Sequence, residues 1–171
     1  MDALSKRLAC SCATSPPRDL DVLDELMANP DFMRFSSGVF TREQTTTFLF
    51  DRVIAVAQAG MPSQLAVILR EENRLIGYCG FFRQLVDEVN EFEIGYRLHP
   101  DYWKRGLATE AARAVRAYAF DVLRLERVIS LIHPENHASR RVTEKNGMTL
   151  EKTTVFRGFP AQVFSCARGD S

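Results

Sequence analysis

Apolar and polar positions along the chain follow two periods, and the places where the period changes mark out the elements. Residues 7–13 set Leu8, Cys10 and Cys12 on one face at period two, which predicts a short first strand broken by Ser15-Pro16-Pro17. Asp19 then stands as an N-cap, and Leu20, Leu23, Leu26 and Met27 follow at helical spacing until Asn29-Pro30 stops the helix. Thr41-Arg42-Glu43-Gln44 reads as a capping box, in which the Thr41 and Gln44 side chains each satisfy the other's backbone N–H. Phe48, Leu49, Val53, Val56 and Ala57 supply the apolar face of this second helix, which Gly60 and Pro62 end.

Three strands are expected next, over 64–70, 75–85 and 91–98, separated by polar turns at 71–74 and 87–90. Gly77 and Gly80 permit a close backbone approach or a bulge in the middle one. From 107 to 122 the period becomes helical. Ala108, Ala111, Ala112, Val115, Ala119 and Val122 share a face of small residues that can pack tightly on a sheet. A strand over 127–133 ends at Pro134, a helix over 138–145 closes at Asn146-Gly147, and strands over 148–157 and 161–168 flank Gly158-Phe159-Pro160. This order predicts an α/β (α+β) fold: a mixed sheet with an antiparallel part and at least one parallel crossover.

Composition narrows the function. With 171 residues the chain is read as a single domain, 1–171. Lys plus Arg number 22 and Asp plus Glu number 22, so bulk attraction to nucleic acid or membrane is not expected, and any anion must be held by a local site. No apolar run has the length of a membrane span. Residues 1–9 carry Asp2, Lys6 and Arg7 without an apolar core, which argues against a signal peptide and makes the cytoplasm the default. Cys10, Cys12, Cys79 and Cys166 read as buried small hydrophobes in a reducing compartment. Cys10-x-Cys12 is too closely spaced for a zinc site and no His pair completes it, so no metal is expected.

The sharpest local chemistry lies in Trp103-Lys104-Arg105-Gly106-Leu107-Ala108-Thr109-Glu110, which follows a strand and opens a helix. Such a junction turns backbone N–H groups and the positive helix end outward, which suits phosphate. Gly106 and Ala108 let phosphates approach the backbone, and Lys104 and Arg105 favour a pyrophosphate. From spacing alone, a plain helix start with surface bases fits equally well.

The run Glu93-Ile94-Gly95-Tyr96-Arg97-Leu98 and then Pro100-x-Tyr102-Trp103-x-x-Gly106-Leu107-Ala108-Thr109-Glu110-Ala111 resembles the acetyl-CoA motif of GNAT acetyltransferases, in particular their RimJ/RimL-type branch. Arg127-Val128 and His133-Pro134-Glu135-Asn136-x-x-Ser139-x-Arg141-Val142-x-Glu144-Lys145-x-Gly147-Met148 are similar to that branch's second signature. Asp19-Leu20-Asp21, Asn29-Pro30 and Leu75-Ile76-Gly77 match in order, so the resemblance spans residues 18 to 168. It implies the GNAT fold, with about four helices around a mostly antiparallel sheet splayed at the acetyl-CoA site. It also implies transfer of an acetyl group from acetyl-CoA to a primary amine, either a protein N-terminus or a small molecule. Carried over by residue, Arg105 to Ala108 (Gly106 and Leu107 between them) with Thr109 would hold the pyrophosphate, beside Lys104. The strand ending at Leu98 would accept the pantetheine arm, Asn136 would hydrogen-bond it, and Ser139 would touch the cofactor nearby. A backbone N–H near Tyr96 would polarise the thioester carbonyl. Dimers are common in the branch, which makes a homodimer an expectation by analogy.

Three departures matter. Trp103 opens the pyrophosphate loop where the wider family has Gln or Arg, a replacement typical of this branch. Thr143 stands where a Tyr general acid is often found. The N-terminal strand is followed by a longer, Pro-containing link before the first helix, which helps form the acceptor site in this fold. The attacking amine must be neutral. At pH 7 that costs about 1 kcal/mol for an α-amino group and about 4.6 kcal/mol for Lys, so an enzyme for N-termini manages with a weak base. The leaving thiol, with a pKa of about 8.5 by analogy with Cys, departs partly as thiolate, which makes a missing Tyr acid tolerable. The candidate bases are Glu93, Glu91 and Glu88; Glu91 and Glu93 share a strand face, and Glu93 is preferred. His99 and His133 read as structural, and Trp103 as packing. The alternatives are a different acyl donor and a non-catalytic acyl-CoA sensor.

Overall fold

The computed structural model describes residues 19–170 and the backbone of 10–13. Among these, seven segments are extended: β1 (Cys10–Ala13), β2 (Gln64–Leu69), β3 (Arg74–Val86), β4 (Val89–Leu98), β5 (Arg127–Ile132), β6 (Thr149–Phe156) and β7 (Phe159–Ala167). They form one sheet in the order β1-β2-β3-β4-β5-β7-β6, in which only β4 and β5 run parallel. The helices are α1 (Leu20–Met27), α2 (Pro30–Met33), α3 (Arg42–Thr47), α4 (Ala55–Gln58), α5 (Leu107–Asp121) and α6 (His137–Lys145). A π-helical stretch, Phe48–Ile54, joins α3 to α4. The mixed, mostly antiparallel sheet is the one expected. No helix among the described residues is long and apolar enough to cross a membrane. Residues 7–9, the Ser15-Pro16-Pro17 break and the side chains of Cys10 and Cys12 lie outside the described residues. Cys79 and Cys166 are buried.

Local chemistry accounts for most boundaries. The Thr41 capping box forms in both directions, Gln44 N–H to Thr41 Oγ1 at 3.3 Å and Thr41 N–H to Gln44 Oε1 at 2.8 Å. Asn29 does more than stop α1. Its Oδ1 accepts from Asp31 and Phe32 at 2.9 and 3.2 Å and so starts α2, a helix the sequence reading missed. The β3–β4 turn is tighter than 87–90: Asp87 and Glu88 alone take positive φ (48° and 67°), the two-residue form that matches strand twist. Likewise Arg157 and Gly158 (φ 51° and 84°) make the β6–β7 turn, and Phe159-Pro160 belong to β7. Pro160 is tolerated there because the pairing of β7 with β5 begins only at Gln162.

Two apolar layers clamp the sheet. On one face α5 buries Leu107, Ala111, Ala112, Val115 and Ala119 against Ile76, Cys79, Phe81, Ile94 and Val128. Val122, expected on that face, is 60% exposed because the helix has ended at Asp121. On the other face Leu23, Leu26, Met27, Phe32, Met33, Phe48, Leu49 and Val53 close over Tyr78. Gly77 is where β3 presses hardest on β4. A Cβ there would lie 2.0 Å from the Arg97 carbonyl oxygen, and φ is 152°. Gly77→Ala should therefore cost about 2–3 kcal/mol in denaturant unfolding; a cost near zero would mean that β3 and β4 part more easily than their packing indicates.

Candidate active site

The site is built at the seam between β4 and β5. Their parallel ladder registers at one pair only, Glu93 with Ile129. Alternation along β4 turns the backbone groups of Ile94, Tyr96 and Leu98 toward β5. The Ile94 carbonyl accepts from Ser130 Oγ at 2.9 Å, and the Leu98 carbonyl from the Trp103 indole at 2.7 Å. Tyr96, between them, points its N–H and C=O into the gap beyond the last registered pair. The carbonyl of Leu98 is thus already engaged by the Trp103 indole.

Glu93 lies on the opposite face from α5. Gln84 Nε2 donates to its Oε2 at 2.7 Å, and the Leu131 amide of β5 donates to the same carboxylate. Gln84 Oε1 in turn accepts from Arg157 at 3.1 Å. The side chain keeps some accessible surface, yet protein surrounds the carboxylate. That desolvation lifts its pKa above the ordinary carboxylate range, against the lowering pull of the Gln84 and Leu131 hydrogen bonds and of Arg97 and Arg157. Glu91 shares the face but is committed elsewhere: Arg127 donates to it at 3.1 and 3.2 Å and also pairs with Glu151 at 2.7 Å. Glu88 sits in the β3–β4 turn. Of the three candidates, only Glu93 stands at the registered pair, where the strands part.

On the α5 side, the Tyr96 hydroxyl donates to the Ser139 carbonyl at 2.9 Å and lies 3.2 Å from Thr143 Oγ1. Burial pushes its pKa up to about 12, so it stays protonated. A tyrosine hydroxyl thus does reach Thr143, but from β4 and as a tie to α6. Asn136 is the N-cap of α6, its Oδ1 accepting from the Ser139 N–H at 3.1 Å. In the loop after β4, Lys104 and Gly106 both take positive φ (62° and 82°). Gly106 is the N-cap of α5, and a Cβ built on it meets nothing within 4 Å. Gly106, Thr109, Glu110, Arg113 and Ala114 line a surface depression of about 460 Å³. Leu107 is buried beneath the loop and Ala108 packs against the same core, while Arg105 lies over the Tyr102 ring at 5.4 Å. His99 Nδ1 accepts from the Asp101 N–H and His133 Nδ1 from the Glu135 N–H, each at 3.2 Å, so both are turn formers.

Residues 14–149 match the acetyltransferase (GNAT) domain family. The chain belongs to the GNAT acetyltransferase family. An uncharacterised N-acetyltransferase of Bacillus subtilis (strain 168), YnaD, is 33% identical over 135 residues, 78% of this chain and 75% of its own. The crystal structure of a GNAT-family acetyltransferase from Bacillus anthracis superposes with a TM-score of 0.80 at 28% identity, over 95% of this chain and 97% of that one. RimL, a ribosomal L7/L12 α-N-protein acetyltransferase solved with coenzyme A, shares the fold at TM-score 0.78 and 16% identity, over 95% and 96% of the two chains. The protein is an acetyl-CoA-dependent N-acetyltransferase.

A GNAT reading fits the observed geometry. The backbone at Gly106 is open to close approach, and β4 parts from β5 after the Glu93–Ile129 pair, next to Tyr96. The sequence reading missed Gln84 and Arg157, which bond around Glu93, and Ser130, which bonds across the seam. Each is a polar residue in a strand or turn, and nothing in its spacing marks it out.

Two predictions follow from these environments. Gly106→Ala forces a side chain into left-handed backbone, so unfolding should become easier by about 1–2 kcal/mol and calorimetry should show weaker acetyl-CoA binding; undiminished affinity would count against the pyrophosphate assignment. Because the fold raises the pKa of Glu93, the native state holds that proton more tightly than the unfolded chain, and stability drops as pH rises from the ordinary glutamate range through the raised value. Glu93→Gln should flatten that part of the melting-temperature profile, and an unchanged profile would mean the carboxylate is well solvated.

Proposed function

We propose that the protein acetylates a primary amine, either the α-amino group of a protein or peptide or a small-molecule amine, by direct attack within a ternary complex, as a member of the RimJ/RimL-type branch. Acetyl-CoA, when bound, supplies the activated acetyl group. Arg105, Gly106, Leu107, Ala108 and Thr109 hold its pyrophosphate, Lys104 adds charge, and Asn136 and Ser139 border its arm. The backbone N–H of Tyr96 donates to the thioester oxygen, where negative charge develops. Glu93 takes the proton of the incoming ammonium, directly or through one water. Its raised pKa makes it a stronger base than a solvated carboxylate.

The observation that carries this reading is the position of Glu93 at the last registered pair, where its carboxylate is bonded across the seam to the Leu131 amide. Trp103 supports the branch, because its indole bond to Leu98 fixes the loop that the wider family opens with Gln or Arg. Tyr96 does not need to act as an acid through its side chain, since a thiol of ordinary pKa leaves partly as thiolate.

Thiol release from acetyl-CoA, measured against N-terminal peptides, polyamines and aminoglycosides, should depend on an added amine. Glu93→Gln should lower turnover by about a hundredfold or more and leave acetyl-CoA affinity intact. Gln84→Met removes a bond that lowers the Glu93 pKa, so the acid limb of kcat/KM should move to higher pH. Wild-type turnover in Glu93→Gln would remove Glu93 as the base.

A further inference from the structure

One polar side chain in the middle of the sheet has no partner. Gln64 is 2% exposed, and both its Oε1 and its Nε2 are buried without a hydrogen bond. Buried carboxamides are ordinarily satisfied, so an orphaned one needs a reason. Its place in the sheet supplies one. Gln64 pairs with Gly80, and Gly80 pairs with Gly95, so a single row crosses β2, β3 and β4 with only one side chain in it. Gln64 Nε2 lies 3.9 Å from where a Cβ of Gly95 would be. Gly95 sits between Glu93 and Arg97 on the same strand face, at the level where β4 leaves β5. The long amide therefore runs over Gly80 as far as Gly95, on the Glu93 side. Phe82 covers the end of the row: its ring would be 2.9 Å from that Cβ, and it keeps part of its surface exposed.

We infer that Gln64 reads the acceptor, selecting an amine that carries a carboxamide or peptide group beside it. The inference rests on the acetyl-transfer reading above. The chemistry follows from the two orphaned atoms. A carboxamide with both ends free offers one acceptor oxygen and two N–H donors. Another amide satisfies both ends at once. A polyamine has only donors to give and leaves Nε2 unpaired, while a carboxylate leaves Oε1 unpaired. A site that buries polar groups rejects ligands that cannot pair with them. Gly80 and Gly95 keep the row clear, since a Cβ on Gly80 would lie 2.5 Å from the Ser63 carbonyl oxygen and one on Gly95 would enter the Phe82 ring.

The test compares wild type with Gln64→Met, which keeps the length of the side chain and removes the amide. Alanyl-alanine amide and alaninamide serve as amide-bearing acceptors, the first a peptide and the second a small molecule; isopropylamine and spermidine lack the amide. Gln64→Met should lower kcat/KM about tenfold for the amide-bearing acceptors through KM. It should leave isopropylamine and spermidine unchanged, keep acetyl-CoA affinity, and melt no earlier than wild type because an unpaired buried group has gone. Equal loss for all four acceptors, or an earlier melt without any change in KM, would overturn the inference. If none of the four is acetylated, the transfer reading is what fails for these acceptors, and nitrogen-15 NMR judges Gln64 separately. With coenzyme A present, the Gln64 side-chain NH₂ signals should shift on titration with alanyl-alanine amide, and signals that stay in place would overturn the assignment.

Discussion

Where β4 and β5 part, the backbone groups that would have continued their ladder must still be satisfied. Ser130 answers for the Ile94 carbonyl, Trp103 for the Leu98 carbonyl, and the Glu93 carboxylate for the Leu131 amide. Each substitution uses a side chain in place of a neighbouring strand. Between them the backbone of Tyr96 faces the gap. These bonds fix the strands where they part, with the Glu93 carboxylate and the Tyr96 backbone beside that point.

The two faces of the sheet serve this opening differently. On one, α5 lies close because Ala111, Ala112 and Ala119 contribute so little bulk, which brings the Gly106 cap to the end of β4. The Tyr96 hydroxyl ties α6 to the same strand. On the other face, aromatic packing does the work: Phe32 and Phe48 meet Tyr78 with centroids 5.9 and 5.5 Å apart, and Phe48 meets Phe82 at 6.4 Å. Arg97 reaches from β4 to the carbonyls of Phe32 and Phe35, at 3.5 and 3.4 Å, and so binds α2 and the segment after it to the reactive strand.

How much of this was readable beforehand depends on whether a feature is local. The capping box, the strand alternation and the small-residue face of α5 are set by neighbours in sequence, and the structure has them where the pattern placed them. The α2 cap was missed because Asn29-Pro30 reads as a stop, although the same pair starts the next helix. Glu93 was preferred over Glu91 from sequence, but what separates them physically lay out of view: a partner 36 residues away in the case of Arg127, and one across a turn in the case of Gln84. Gln64, Gly80 and Gly95 come from three strands, and only the registers bring them into line.

The π-helical stretch between α3 and α4 buries Phe48, Leu49 and Val53, and its last ladder bond spans five residues, from the Ala55 N–H to the Phe50 carbonyl. That segment carries one residue more than α geometry needs for the same path over the sheet. Its length is therefore adjustable at this point. A lineage that drops one residue here can tighten the coil without moving either end, and thereby change which aromatic faces Tyr78 and Phe82 while the seam stays where it is.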